Sequence, residues 1–372
     1  MSFEDKPFKI MEVCGTHTSA IFKSGIRDLL PENVRLVSGP GCPVCVTPPS
    51  YIDRCIRIAR TPGHVLLCFG DMMKVPARGG STLSDAKAAG RSVRMVYAPF
   101  DALALAAKNP DIEYTVAAVG FETTAPAYAL LIEEAQARGL TNIRLLTALK
   151  SAVRAIEWIC ETGEDVDAFL CPGHVSVITG SAAYAPLAEK YGRPFVVAGF
   201  EAKQLEAAVR DCICGGSGVR NLYPEAVSEE GNARAKALLE TYFDLTDAAW
   251  RGLGTIPRSG YELKSKYARW IPDQVRDDTP DVIPNAAAVI AGADPQSTAA
   301  AVSSDTLPPG CRCGDVILGR IDPPDCPLFG GSCTPLRATG PCMVSSEGAC
   351  GIWYRNRSPV IAGADPQSIV IY

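Results

Sequence analysis

The chain has 372 residues, 47% hydrophobic and 21% charged, with a formal net charge of -5 and a pI near 5.4. That is enough chain for two or three domains with sizeable cores, and the acidic balance argues against a nucleic-acid-binding surface. No run of eighteen apolar residues occurs, and Met1 to Lys9 is polar and charged, which excludes a transmembrane helix and a secretory signal on sequence grounds. Fifteen cysteines without an export signal point to the cytoplasm, where thiols serve metals and redox chemistry rather than structural disulfides.

Short apolar, β-rich runs alternate with helical patterns through the first 200 residues. Strands are expected at Phe8–Val13, Val34–Val37, Val65–Phe69, Val93–Tyr97, Tyr114–Val119, Ile143–Leu146, Ala168–Leu170 and Phe195–Ala198. Between them, Thr18–Leu30, Ser50–Arg60, Phe100–Lys108, Pro126–Arg138 and Ala152–Thr162 read as helices. This alternation implies βαβ units and mainly parallel sheets with helices on both faces.

In such sheets ligands bind beyond the carboxyl ends of the strands, so the residue after each strand carries the chemistry. Those positions hold Cys14-Gly15-Thr16-His17-Thr18, Gly39-Pro40-Gly41-Cys42-Pro43-Val44-Cys45, Gly70-Asp71, Gly120-Phe121-Glu122-Thr123-Thr124, Cys171-Pro172-Gly173-His174 and Gly199-Phe200-Glu201. A thiol, imidazole or carboxylate recurs beside a glycine that lets the backbone turn. The Gly-Phe-Glu triplet occurs twice, which is compatible with two related lobes. Beyond Cys214, Ser228–Phe243 reads as an amphipathic helix opened by Ser228 and an acidic first turn, and Trp250 to Gly254 leads into a glycine-punctuated connection.

Residues 269–306 depart in composition, and Val289 to Ser297 recur identically as Val360 to Ser368. A nine-residue repeat is too short for a packed solenoid unit. Residues 269–306 are therefore expected to be an inserted disordered linker and residues 358–372 a disordered tail.

Cys311, Cys313, Cys326, Cys333, Cys342 and Cys350 crowd into forty residues that contain no histidine. A local metal site there must be all-sulfur, either an iron–sulfur cluster or a four-thiolate zinc. The spacing Cys313-x12-Cys326-x6-Cys333-x16-Cys350 lacks the paired Cys-x2-Cys knuckles of structural zinc and favours iron–sulfur, with free or disulfide-bonded thiols as the remaining alternative.

Cys42-Pro43-Val44-Cys45 is spaced so that the sulfurs can meet in a reversible disulfide; half of a zinc knuckle or two inert loop thiols are the other readings. Cys14 and His17 could share a metal, His17 could activate Cys14, or Cys14 is simply packed. His174 is a general base, a supporting donor or a satisfied loop histidine. Glu122 and Glu201 are anchors or caps of the helices that follow. Cys55, Cys68 and Cys160 fall in apolar or helical runs and read as core. No Gly-x4-Gly-Lys-Ser/Thr or Gly-x-Gly-x-x-Gly loop occurs, which disfavours an ATPase or a dinucleotide enzyme.

Six blocks in order carry a resemblance. They are Val13-Cys14-Gly15-Thr16-His17-Thr18, Gly39 to Val46, Gly120 to Thr124, Pro172-Gly173-His174-Val175-Ser176, Cys326-Pro327-Leu328-Phe329-Gly330, and Met343 to Cys350. Together they resemble the HypD family of hydrogenase maturation factors over about residues 8–268 and 310–355. The resemblance implies assembly of the iron of nickel–iron hydrogenases, carrying two cyanides and one carbon monoxide, with a HypC-type chaperone as partner and HypE, served by HypF, as cyanide donor. It implies a 4Fe-4S cluster held by Cys313, Cys326, Cys333 and Cys350, with Cys311 and Cys342 as extras. It also implies Cys14 as the thiol that holds the iron, Cys42 and Cys45 as a redox dithiol, and His17, Glu122, His174 and Glu347 as residues that line or support the clefts. Relatives are expected to carry a helical segment ahead of the first strand, whereas this chain starts close to it.

The expected architecture is α/β, with two parallel-sheet, Rossmann-like lobes at residues 1–115 and 116–245. A small C-terminal iron–sulfur cluster domain is expected from residues 246–268 and 307–357. The protein would act as a monomer within a heteromeric complex. The rival reading is an iron–sulfur-dependent thiol–disulfide oxidoreductase acting on a protein substrate, indifferent to Cys14.

Overall fold

The computed structural model describes residues 7–273 and 307–356. The first half alternates β1 (Phe8–Glu12), α1 (Gly15–Ser24), β2 (Val34–Ser38), α2 (Pro49–Arg60), β3 (His64–Cys68), α3 (Leu83–Ala88), β4 (Val93–Met95), α4 (Asp101–Lys108), β5 (Glu113–Gly120), α5 (Ala125–Ala137), β6 (Ile143–Lys150) and α6 (Ala152–Glu161). It continues through β7 (Ala168–Pro172), α7 (Gly173–Thr179), α8 (Ala185–Tyr191), β8 (Pro194–Ala198), α9 (Ala202–Cys214), β9 (Gly218–Asn221), α10 (Ala233–Tyr242), β10 (Phe243–Trp250) and β11 (Gly254–Leu263). The thiol-rich segment adds two short helices, α11 (Cys313–Ile317) and α12 (Ala349–Arg355).

All eight expected strands form, the central ones as apolar runs buried on both faces of a parallel sheet; β5 is buried from Tyr114 to Gly120, whereas the edge strand β4 buries only Val93. Local chemistry sets the helix starts. Pro49 and Pro126 occupy the first turns of α2 and α5, and the Ser151 hydroxyl accepts the Arg154 N–H to cap α6. The helix expected from Thr18 to Leu30 breaks at Gly25, whose φ of 69° ends α1 before a turn of 3-10 helix at Ile26–Leu29.

Two sheets result. One has five parallel strands in the order β2-β1-β7-β8-β9, and the other has the order β10-β11-β6-β5-β3-β4, parallel from β6 to β4. The expected division at residue 115 falls inside β5, and neither sheet is a consecutive stretch of chain. The first takes β1 and β2 from the N-terminus and β7 to β9 from beyond residue 167, because Ile10–Glu12 pair in parallel with Ala168–Leu170. The second encloses β3 to β6 and closes with the β10–β11 hairpin.

That hairpin was expected to lie with the cluster domain. Instead Gly260 and Tyr261 pair antiparallel with Lys150 and Leu149, extending the second sheet. Two further expectations shift. The helix over Ser228–Phe243 starts at Ala233 with Asn232 as its cap, because the carbonyls of Ser228 and Glu229 instead accept the N–H groups of Ser181 and Ala182. Trp270, inside the range expected as linker, is buried in the core of the second sheet. The rest of that range beyond residue 273, the nine-residue repeat and the tail lie outside the described residues.

The thiol-rich segment rests on both lobes. Ser345 Oγ donates to Asp71 Oδ2 after β3 at 2.9 Å, and Arg320 pairs with Glu164 beyond α6. Trp250 and Ile256 from the hairpin pack into one apolar cluster with Cys42, Cys45, Cys313 and Cys350. The segment thereby closes over the carboxyl ends of the strands.

Candidate functional site

Cys14 follows β1 in extended backbone, φ -159°, and occupies the N-cap of α1. The N–H groups of His17 and Thr16 donate to its sulfur, an arrangement that favours thiolate, while burial and the neighbouring Glu347 carboxyl push its pKa up, burial being the larger effect. The loop after β2 is brought against it by Gly41: a Cβ there would stand 2.6 Å from the Cys14 nitrogen. From the other side Gly15 touches the thiol-rich segment, where a Cβ would lie 2.2 Å from the Glu347 carbonyl oxygen. Neither position has room for a side chain, so the Cys14 turn is held between the dithiol loop and Glu347.

In the dithiol loop the Cys45 N–H donates to Cys42 Sγ at 3.2 Å, and the Cys45 thiol reaches the Pro341 carbonyl at 3.7 Å. Next to Pro341 stands Cys342, which sequence reasoning left without a role. It borders both the crevice lined by Cys42 and Cys45 and the cavity lined by Cys313 and Cys350, and the neighbouring thiols, Cys313 foremost, hold its pKa well below the ordinary thiol value against the cost of burial. Those neighbours move the other way: Cys45 chiefly through burial, Cys313 and Cys350 chiefly through Cys342. The sulfurs thus form one connected set from Cys42 through Cys45 and Cys342 to Cys313 and Cys350.

Cys311, Cys313, Cys326, Cys333, Cys342 and Cys350 line a single small cavity closed by Leu328, Phe329 and Met343. Five of these thiols are buried, and Cys311 alone is half-buried. The Gly340 N–H donates to Cys333 Sγ at 3.5 Å, drawing the 333–340 turn over the cavity. Among the described residues, no three Cys, His, Asp or Glu side chains converge on one metal-ion position.

The imidazoles lie on the other flank of Cys14. His17 is fully buried, with Nε2 3.1 Å from the carbonyl oxygens of Ala198 and Gly199, and burial lowers its pKa to about 4. His174 stacks on Phe200 at 4.2 Å, while His17 meets the same ring at 4.8 Å. Burial lowers His174 as well. Both are therefore neutral near pH 7. Glu347 borders the crevice between the Cys14 turn, the dithiol loop and Cys342. Its carboxyl is raised by burial and then by Asp71.

Glu122 is placed differently. Its two oxygens accept from Ser151 Oγ at 2.6 Å and from the Ala152 N–H at 3.0 Å, so it holds the start of α6, two elements further on than the helix that follows it. It borders a separate cleft with Ser151 and Tyr261, away from the thiols. Glu201 caps α9, the helix it precedes, with Gln204 Oε1 accepting its N–H. Cys55, Cys68 and Cys160 are core residues.

A two-lobed α/β fold whose strand-end thiols meet a cysteine-lined cavity defines a class, that of thiol-rich α/β proteins. The comparisons specify it further. The HypD family, described as "Hydrogenase formation hypA family", matches residues 1–357. The chain is 41% identical over 373 residues to the hydrogenase maturation factor HypD of Azotobacter vinelandii, covering 96% of this chain and 93% of that one. It is 41% identical over 367 residues to HypD of Escherichia coli (95% and 90%), and 38% identical over 359 residues to HypD of Cupriavidus necator (93% and 89%). The chain belongs to the HypD family of hydrogenase maturation factors. No helix among its described residues is long and apolar enough to cross a membrane.

Proposed function

We propose that the chain is the scaffold on which the iron of a nickel–iron hydrogenase acquires two cyanides and one carbon monoxide, acting in the cytoplasm with a HypC-type chaperone and with HypE, supplied by HypF, as cyanide donor. The observation that carries this reading is the sulfur contact running from the Cys42–Cys45 loop through Cys342 into the cysteine-lined cavity, one turn of chain from Cys14. Cys14 is the iron-holding group. A soft thiolate suits iron carrying diatomic ligands, and one thiolate from this chain leaves positions open for a thiolate of the chaperone. The two N–H groups at the start of α1 partly offset the burial that raises its pKa and would stabilise the thiolate once iron is held.

The donor set suits a 4Fe-4S cluster: six cysteines and no histidine, aspartate or glutamate line the cavity, and such clusters are held by thiolates. Cys326, Cys333 and Cys350 are three of the ligands. The resemblance makes Cys313 the fourth, and Cys311, which lines the same cavity, is the other candidate. When bound, such a cluster supplies single electrons. The chain's own thiols then handle the pairs: reducing a Cys42–Cys45 disulfide to two thiols takes two electrons and two protons, and Cys342 is the residue in contact with both sides.

Metal and acid-labile sulfide analysis of anaerobically purified protein tests this. About four irons and four sulfides per chain are expected, lost in Cys350→Ala. Cys311→Ala and Cys313→Ala then separate the two quartets, since only a ligand's removal depletes iron. Zinc without sulfide would contradict the cluster. Undiminished maturation by Cys42→Ser would remove the dithiol from the mechanism, and by Cys14→Ala would favour the oxidoreductase reading.

A further inference from the structure

Arg27 belongs to no strand-end loop, yet its guanidinium joins the two halves of the site. Nη1 donates to the Leu36 carbonyl of β2 at 2.8 Å, and Nη2 pairs with Glu12 Oε1 of β1. The guanidinium carbon lies 4.9 Å from the ring centre of Phe22 on α1 and 5.0 Å from that of Trp353 on α12, and the two rings meet edge-on at 5.0 Å. Asp322, between Cys313 and Cys326, also faces this charge. The Glu12 side chain is fully buried and that of Arg27 nearly so.

The partners fall into two groups. Glu12 lies two residues before Cys14, and Phe22 lies on the helix that Cys14 caps. Trp353 lies three residues after Cys350, and Asp322 four residues before Cys326. We propose that Arg27 is a positioning residue that clamps the thiol-rich segment onto the β1–α1 unit and so fixes Cys14 relative to the Cys45–Cys342 contact. The proposal rests on the reading of Cys14 as the iron-holding thiol. An ordinary core ion pair would need only Glu12. Here one planar cation offers donors at its edge and a stacking surface to Trp353, a combination that lysine, a point charge on a flexible stem, does not reproduce. Because Gly15 and Glu347 meet backbone to side-chain root with no slack, any slip of α12 moves the Cys14 turn directly.

Thiol protection tests the clamp without requiring iron. The full chain is treated anaerobically with iodoacetamide and the modified cysteines are quantified by mass spectrometry. In Arg27→Lys, Cys14 should react about tenfold faster while Cys55, in the core of the other lobe, and Cys212, beneath the first sheet, keep their native rates, since local opening exposes only what it uncovers. Trp353→Ala should reproduce this pattern and Trp353→Phe, which keeps an aromatic face, should restore native protection. Native protection of Cys14 in Arg27→Lys would overturn the proposal. So would a parallel rise at Cys55, which would reduce Arg27 to general stability. Maturation in a host lacking its own HypD should fall about tenfold in Arg27→Lys, in proportion to the lost protection. A native chain that fails to support maturation would defeat the proposed function, while the labelling pattern would still decide the clamp.

Discussion

The Gly-Phe-Glu triplet ends a strand in each sheet, and the two copies do different things. After β8, Phe200 packs between His17 and His174 beside the Cys14 turn, and Glu201 caps its own next helix. After β5, Phe121 stacks on Trp250 of the hairpin at 6.0 Å, and Glu122 is consumed in holding α6. Both phenylalanines border the thiols, since Phe121 packs in the apolar cluster of Cys42 and Cys45, but only in the second sheet does the glutamate anchor a helix far along the chain. The difference lies in what packs above: the dithiol loop and Glu347 over one sheet, the hairpin and α6 over the other.

If that division holds, substitutions in the two sheets should separate activity from stability. The largest effect is expected in the first sheet, where Cys14→Ala and Cys42→Ser should lower hydrogenase maturation by on the order of a hundredfold, since each removes a reacting sulfur. Both replacements are small, so thermal unfolding should shift little. In the second sheet, Glu122→Ala should do the opposite. It leaves a buried hydroxyl and N–H unpaired at the start of α6 and should cost about 2–3 kcal/mol in urea unfolding, with maturation falling only as folded protein falls. Glu122→Gln, which keeps one oxygen to accept the Ala152 N–H and turns its amide NH2 towards Ser151 Oγ, should recover part of that loss.

Gly15→Ala sharpens the comparison at the contact between the Cys14 turn and Glu347. The added methyl has no space and should cost about 1–3 kcal/mol by overpacking, with iron content falling together with stability because α12 must move. The smallest effect is on pH dependence. The unfolded chain protonates its imidazole near pH 6.5, but buried His17 does so only near 4. Between those values the unfolded state takes up the additional proton, so stability is complete above pH 6.5 and falls as the pH drops towards 4, by on the order of 3 kcal/mol. Chemical denaturation at pH 7 and pH 4.5 should show the loss, and His17→Gln should shrink it.

Eight of the nine parallel strands were legible as short β-rich runs, most of them followed by glycine, and the structure begins or ends most of them within a residue or two of expectation. β9, β10 and β11 were not. In β10 the alternation runs only from Phe243 to Thr246 and breaks at Asp247, where the ladder itself shifts register between Thr246 and Ala248. The interleaving of the sheets is set by which strand edges meet, which no local pattern encodes. The same limit applies to the site. The sequence marked the loops of Cys14, Cys42, Cys45 and His174 through their glycines, but Cys342 gained its place only through space, from Cys45 almost 300 residues earlier. Glu122 was marked as functional by the same strand-end rule and is engaged structurally.

Cys342 carries the most direct test of a connected thiol set. In Cys342→Ser, iron and acid-labile sulfide should stay at the native level while hydrogenase maturation is lost, because the cavity keeps its other five cysteines and the thiol between them and Cys45 is removed. Loss of iron along with activity would make Cys342 a ligand, and full maturation with a native iron content would show that the dithiol works without it.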